Sequence, residues 1–301
     1  MDHLKNPKLA IPVVLLAGIF WSFGPYVVRN IDDAHTVPWQ YLFTRGLVIF
    51  ILLNVYLFME EGLSFLNNYK KIGISGIVGG LGLATAMITF IWSITNTTAA
   101  ITLLCLAAMP FITALLGFLF IKEKISISVW LAIGIATFGI IIMSVGNTEK
   151  NTFLGLIFGL VSAIGFSIFS VSLRWRKETP KFTTVAIAGL FCCLFSGVII
   201  IINDANFLSS SKNEALFATH GTLVCLGLIL YSIGSKNIPA AELTLLSLTE
   251  IIGGIFWVWL PILGINEVPN TNTIIGGFLI FSSIIYYSLI IQYNRRFIGL
   301  N

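Results

Sequence analysis

Charged residues are scarce in this sequence. Only 10% of its 301 residues are Asp, Glu, Lys or Arg, whereas soluble domains carry about 25%. Hydrophobic residues make up 57% and the mean hydropathy is +0.96, so too little polar surface remains to cover a water-soluble globule of this size. These shortages exclude a soluble enzyme, a protein that binds nucleic acid and a secreted disulfide scaffold. The chain is expected to be a polytopic membrane protein.

Metal-ligating and nucleophilic residues are also few. All four cysteines lie within apolar runs without CxxC spacing, which predicts buried free thiols and no disulfide. The three histidines are predicted to lie at the terminus, in a loop and, for His220, near the end of a span. The glycines of segment 79–82 lack the context of a nucleotide-binding loop. We therefore expect no catalytic residue, no cofactor, no metal and no direct use of ATP.

Apolar runs of about 20 residues, long enough to cross a bilayer, recur along the chain. Ten such runs cover residues 10–28, 39–58, 72–93, 99–120, 127–145, 152–173, 183–202, 217–234, 240–262 and 273–293. The connectors are short and rich in Asn, Thr and Pro, apart from a longer Ser- and Asn-rich one at 203–216. The predicted fold class is an all-α membrane protein with ten transmembrane helices.

Basic residues are divided unequally between the two predicted faces. With the N-terminus inside, 13 Lys and Arg residues fall on the inner side, three fall on the outer side, and Arg45 remains within a span. Because short cytoplasmic connectors carry the excess of positive charge, this asymmetry predicts a multi-pass protein of the inner (cytoplasmic) membrane. Both termini are expected in the cytoplasm.

Short matches recur along the chain in the same order at spacings of 141 to 145 residues. They pair Trp21-Ser22 with Phe166-Ser167, Arg29 with Arg174, Gly46 with Gly189, Ala99-Ala100 with Ala240-Ala241, and Glu123 with Glu267. The pattern predicts two five-span repeats, residues 1–147 and 148–301. Because five is odd, the second repeat must enter the membrane from the opposite side. Such inverted repeats are typical of secondary transporters, whose substrate site lies between the repeats near the midplane.

Two ionisable residues are predicted to lie deep in the membrane. Glu250 follows Ala240, the start of its span, by ten residues, which corresponds to a depth of about 15 Å. Arg45 is expected about 10 Å below the outer surface. A charge at such depth costs about 3 kcal/mol or more and normally faces a cavity or a partner. Each residue has two interpretations: a structural group bonded to a neighbouring helix, or a group that binds substrate or, for Glu250, carries a proton. An ion pair between Arg45 and Glu250 would compensate both charges. Glu242, near the start of its span, is expected at the membrane interface.

Pro110 marks a second feature at the same predicted depth. It lies midway along the fourth span, at the position that corresponds to Glu250 and Ile251 in the second repeat. Proline removes a backbone hydrogen bond and bends a helix. A bent helix and a buried acid at equivalent positions therefore indicate one cavity.

Two long segments resemble a known family. The stretch from Ala99, AAITLLCLAAMPFITALLGFLFIKEKIS, resembles the span-four and span-five signature of EamA-like members of the drug/metabolite transporter superfamily. The later stretch LLSLTEIIGGIFWVWLPILGINEVP is similar to that family's second-repeat counterpart, and Trp21 and Arg45 match its positions in spans one and two. The family often has proline after the span-nine Glu, whereas Ile251 stands here.

The resemblance implies a secondary active or facilitative transporter of small polar or amphipathic metabolites. It implies alternating access, export as the expected direction, and protons as a candidate coupling ion. Four aromatic residues fall on spans that match the family's cavity-lining helices, where they would suit a flat or cationic ligand: Trp21, Trp92, Tyr231 and Trp257. The alternatives are a non-transporting membrane subunit and an intramembrane enzyme, although no His, Asp or Cys cluster supports the latter.

Overall fold

The computed structural model of the chain describes residues 9–145, 153–176, 178–266, 268 and 271–297. Within these ranges the chain forms α-helices, with two short 3₁₀ turns at Gly62–Phe65 and Pro261–Leu263, and no strand. The helices are α1 (Ala10–Arg29), α2 (Pro38–Glu61), α3 (Leu66–Lys70), α4 (Gly73–Asn96), α5 (Ala99–Leu106), α6 (Met109–Ile121), α7 (Ile127–Val145), α8 (Phe153–Trp175), α9 (Lys181–Ile202), α10 (Ser211–Gly234), α11 (Ala240–Ser247), α12 (Thr249–Trp259) and α13 (Thr271–Phe297).

Eight helical segments are long and apolar enough to cross a membrane, which confirms a multi-pass helical membrane protein. The other two predicted spans, 127–145 and 273–293, correspond to α7 and α13, which pack against each other. The predicted boundary between residues 147 and 148 lies outside the described residues, as do both chain ends. The ten-span count and the two repeats therefore stay predictions.

Two of the predicted spans are interrupted helices. The fourth is divided at Ala107 and Ala108 into α5 and α6, and Pro110 lies in the first turn of α6. This is where proline is tolerated, because the first turn of a helix has no intrahelical acceptor for its N–H groups.

The ninth span is divided at Leu248 into α11 and α12, although it contains no proline at that point. Hydroxyl side chains satisfy backbone carbonyls around the break: Ser247 Oγ donates to the carbonyl of Thr244 at 2.8 Å, and Thr249 Oγ1 donates to that of Leu246 at 3.1 Å. Such side-chain bonds compete with the regular helical pattern and often bend helices. The break therefore does not require the proline that the family often has.

Helices from the first part of the chain, α1 to α7, pack against helices from the second part, α8 to α13. The contacting pairs are α4–α8, α2–α9, α7–α13, α1–α10, α1–α12, α4–α9, α2–α10 and α6–α8. In the α2–α9 contact a Cβ on Gly46 would lie 2.7 Å from the Gly189 carbonyl oxygen, and one on Gly189 would lie 2.8 Å from that of Gly46. Only glycine permits two helix backbones to approach this closely.

Helix α10 begins at Ser211, whereas the predicted span began at residue 217. Ser210 Oγ accepts a hydrogen bond from the Asn213 N–H at 3.2 Å, and Glu214 Oε1 accepts one from the Ser209 N–H at 2.8 Å. Ser is a preferred N-cap residue, so part of the Ser- and Asn-rich connector is helical. As a result His220 lies well inside α10, and the prediction that it lies near a span end is wrong.

Candidate functional site

A cavity of about 80 Å³ lies between helices of both halves. It is lined by Trp21 of α1, Arg45 of α2, Leu83, Ala86, Met87 and Phe90 of α4, Leu106 of α5, Met109 of α6, Ser162 and Phe166 of α8, His220, Val224 and Leu228 of α10, and Glu250 of α12. Three residues predicted to form the site, Trp21, Arg45 and Glu250, therefore meet at this central cavity. Both helix interruptions also reach it, because Leu106, Met109 and Glu250 flank them.

Glu250 lies in the first turn of α12, two residues after the break at Leu248. Its side chain is partly buried, and within the described part of the chain its carboxyl group has no hydrogen-bond or ion-pair partner. A carboxylate held away from water without a partner is costly in free energy. This carboxyl group is therefore available to a ligand or to a proton.

Arg45 is only 2% exposed and is held by α4 and by its own helix. Its Nη2 donates to the Met87 carbonyl oxygen at 2.8 Å, and its guanidinium lies 5.6 Å from the centroid of the Tyr41 ring. Among the described residues no carboxylate lies within ion-pair distance, so the Arg45–Glu250 pair is not formed. The Arg45 Nε is buried and has no hydrogen-bond partner in the same set. The Arg45 guanidinium therefore lines the cavity without a carboxylate counterion in the described part of the chain.

His220 adds a third ionisable side chain to the cavity wall. The imidazole is 2% exposed, and its Nδ1 is hydrogen bonded to the Tyr41 hydroxyl. Its Nε2 points towards α1, where a Cβ added to Gly24 would lie 2.9 Å away. When Tyr41 donates to Nδ1, Nε2 carries the proton and is a hydrogen-bond donor. Tyr41 therefore positions both the imidazole and the guanidinium.

The aromatic part of the wall is built around Trp21. Its Nε1 donates to the Val224 carbonyl oxygen at 3.2 Å, and its ring lies 5.5 Å from the ring centroids of both Phe166 and Tyr231. Tyr231 is fully buried behind this surface and shares a 2.7 Å hydrogen bond with Ser170 Oγ. Trp21 and Phe166 line the cavity, and Tyr231 supports them.

The other predicted site residues lie elsewhere. Trp92 packs against Trp39 at 5.2 Å between ring centroids, and Trp257 stacks on Phe23 at 4.6 Å and donates to Ser22 Oγ at 2.9 Å. Neither is among the residues that line the central cavity, so the assignment of Trp92 and Trp257 to the site stays a prediction. Pro110 does not line it either, although Met109 beside it does.

Two further predictions concern residues outside the cavity. Glu242, expected at the membrane interface, accepts a hydrogen bond from the hydroxyl of Tyr287, which is buried in α13. The four cysteines are free and buried. In the described ranges no group of three or more His, Cys, Asp or Glu side chains is arranged to hold a metal ion.

His220 was not among the predicted site residues, although the sequence carries a signal for it. If Ser210 is taken as the N-cap and Glu214 as a residue of the first turn, the predicted helix begins at Ser211. His220 then lies nine residues inside the helix, about 14 Å along its axis. That depth is similar to the predicted depth of Glu250.

Comparisons with known proteins find similar sequences and a similar structure. Residues 8–145 match the EamA-like transporter family. An uncharacterized transporter of Helicobacter pylori (strain J99 / ATCC 700824) is 25% identical over 264 residues, which covers 84% of this chain and 87% of that protein. The uncharacterized transporter YojE of Bacillus subtilis (strain 168) is 25% identical over 275 residues, with the same two coverages.

A solved crystal structure of a protein shares the fold. It matches with a TM-score of 0.75 and 16% sequence identity, over 95% of this chain and 98% of that one. At this identity the match concerns the fold alone. In its residues 8–145 the chain is similar to the EamA-like transporter family, in agreement with the resemblance that its sequence motifs carry.

Proposed function

We propose that this protein carries a small polar or amphipathic metabolite through the central cavity by alternating access, as a secondary active or facilitative transporter. The observation that carries the proposal is the Glu250 carboxyl group, which has no partner in the described part of the chain and shares one cavity with Arg45 and His220. Ionisable groups at membrane depth that face a cavity mark substrate or ion pathways.

We infer further that the two halves are inverted repeats. Helices α5 and α11 both have eight residues, and their first and last residues are each 141 positions apart. The interhelical contacts also support this interpretation, because the repeat relates α4–α8 to α1–α10, α6–α8 to α1–α12, and α4–α9 to α2–α10. At one end Arg174 donates to the Ser235 carbonyl oxygen at 2.9 Å, and at the other Arg29 donates to that of Ile94 at 3.2 Å. The two acceptors are again 141 positions apart.

The size of the cavity supports a mechanism with movement between the halves. Pockets for small molecules usually have volumes of about 300–1,000 Å³, whereas this one has about 80 Å³. A metabolite would therefore enter only if the surrounding helices separated. In the proposed cycle the halves rock about the cavity, which opens to one face at a time.

The proposal includes proton coupling at Glu250 and export across the inner membrane. A neutral carboxyl group costs less at this depth than a carboxylate, so uptake and release of a proton would alternate with substrate binding. The excess of basic residues in the predicted inner connectors supports cytoplasmic termini.

Transport in proteoliposomes tests the proposal. Purified protein would be reconstituted, and flux of a panel of amino acids, nucleosides, sugars and organic cations would be measured with and without an imposed pH gradient. We expect at least one compound to cross faster than in protein-free liposomes, with a rate that depends on the gradient. Absence of protein-dependent flux for every compound would favour a non-transporting membrane subunit.

A further inference from the structure

A second and larger cavity lies at one end of the molecule, away from the central cavity. We call this end, formed by connectors 62–72, 122–126, 178–180 and 235–239, the basic end. The cavity has a volume of about 780 Å³ and shares no lining residue with the central one. Four of its lining residues are cations from separate segments, Lys71, Arg174, Lys181 and Lys236, and two are exposed carboxylates, Glu61 and Glu178.

The cations of this basic-end cavity differ in how they are compensated. Arg174 forms an ion pair with Glu123 at 2.6 Å, and Lys236 lies 5.9 Å from the centroid of the Phe182 ring. The ammonium group of Lys181 is partly buried and donates to the neutral Ser235 hydroxyl at 2.8 Å. In the described part of the chain no carboxylate lies within ion-pair distance of it. Lys181 therefore lacks a carboxylate counterion in this cavity wall.

The N-terminus of α9 opens onto the same cavity. This helix has 22 residues, its N-cap is Pro180 without a side-chain cap, and no acidic residue lies in its first turn. The N–H groups at such an end carry partial positive charge and bind anions. Residues 179–183, which lead into and form this first turn, all line the cavity.

Thr183 provides an independent sign of a missing ligand. Its side chain is 0% exposed and lines the cavity, and its hydroxyl has no hydrogen-bond partner among the residues that the structure describes. Buried hydroxyl groups are nearly always hydrogen bonded, because an unpaired one loses its bonds to water without replacement. A bound group that accepts hydrogen bonds would satisfy it.

We propose that this cavity binds a phosphate group, with the α9 N-terminus, the Thr183 hydroxyl and the Lys181 ammonium group as its donors. A phosphate has several acceptor oxygens and a negative charge, and these match a helix N-terminus, a hydroxyl and a lysine. The phosphate could come from the headgroup of an anionic lipid or from a soluble phosphate ester. Both sources present the same chemistry to the three donors.

Binding to the purified full-length protein in detergent tests this site. The probes are inorganic phosphate, with chloride at equal ionic strength as its control, and dihexanoyl-phosphatidylglycerol, with dihexanoylglycerol as its control. Affinity is read from the shift of the thermal unfolding midpoint with probe concentration. Binding of the phospholipid without inorganic phosphate would identify a lipid headgroup site, and binding of both would identify a site open to soluble phosphates.

Two variants make the test specific. K181Q replaces a charged donor with a neutral amide, and T183V removes the hydroxyl donor, so each should weaken binding about tenfold. K124Q, which removes an exposed cation at the same end but outside the cavity, should have no effect. The ligand-free T183V protein should unfold no earlier than the wild type, because the hydroxyl it loses has no partner.

Two results would overturn the proposal. One is that neither probe binds, and the other is that K181Q and T183V bind as tightly as the wild type. Should one variant fail to fold, the other decides alone, since each removes a separate donor.

Discussion

The three ionisable side chains of the central cavity are held to different degrees. Arg45 is fixed by the Met87 carbonyl and the Tyr41 ring, and His220 by the Tyr41 hydroxyl. Glu250 has no such bond in the part of the chain that the structure describes. A change in the charge of Glu250 would therefore break the fewest contacts within the protein, and for this reason the proposed proton coupling is assigned to it.

Substitution of Glu250 by Gln tests this role. Gln keeps the shape and hydrogen-bonding capacity but cannot titrate, so we expect E250Q to express and fold like the wild type and to lose transport or its response to a pH gradient. The matched control is E60Q, since Glu60 is exposed at the end of α2. If E250Q transports at the wild-type rate with the same pH profile, Glu250 is structural.

The Tyr41 hydroxyl should contribute to both stability and transport. In Y41F the His220 Nδ1 loses its only bond in the described residues, and an unsatisfied buried group costs about 1–3 kcal/mol. We expect a lower thermal unfolding midpoint in detergent and slower transport. An unchanged midpoint would mean that the imidazole finds another partner.

Sequence alone identified two of these three residues. An ionisable residue inside an apolar run is itself a signal, because it is costly there, and Arg45 and Glu250 both carry that signal. His220 was missed because the start of α10 depends on hydrogen bonds of Ser210 and Glu214. Their residue types are also typical of loops. Trp92 and Trp257 were assigned to the cavity by their spans, but the face of a helix on which a residue lies depends on packing.

At the scale of helices, the fourth and ninth predicted spans are each interrupted beside the cavity, where one helix ends and the next begins. The break at Ala107 and Ala108 could be predicted from Pro110, whereas the one at Leu248 could not, because it is made by bonds of Ser247 and Thr249 with nearby carbonyls. Such bonds also occur in straight helices, so the residue types do not determine the bend. Hydrophobicity was sufficient to predict that these helices exist. It was not sufficient to predict where they end or where they are interrupted.

The contact between α2 and α9 should depend on its two glycines. In G46A the new methyl group would lie 2.7 Å from the Gly189 carbonyl oxygen and 2.8 Å from the Cys193 nitrogen, so the backbones must separate. We expect destabilisation of about 1–3 kcal/mol, measured as a lower unfolding midpoint in detergent.

Gly134 offers a matched control for this substitution. It lies in α7, and a Cβ there would have no atom within 4 Å. Alanine favours helix by up to about 1 kcal/mol over glycine, so G134A should be neutral or slightly stabilising. Equal effects of G46A and G134A would show that the close approach of α2 and α9 does not limit stability.

At the scale of the whole molecule, composition was the strongest predictor. Scarce charge and repeated apolar runs predicted a helical membrane protein, and eight segments of the structure are suited to span a membrane.

The orientation in the membrane remains a prediction from the distribution of basic residues. Fusion of reporter tags at residues 1 and 301 tests it, and both should be accessible from the cytoplasm. A periplasmic C-terminus would contradict the ten-span count and, with it, the inverted repeat.

Access to the central cavity from both faces of the membrane is the most direct test of the account. Ser162 lines the cavity and is 2% exposed, so S162C would be placed in a background in which the four buried cysteines are replaced by alanine. It would be labelled with a membrane-impermeant methanethiosulfonate reagent in right-side-out and inside-out vesicles. S196C, buried in α9 outside the cavity, is the control and should not react. We predict that S162C reacts from either face; reaction from neither face, or from one face only at every imposed pH gradient, would contradict transport through this cavity.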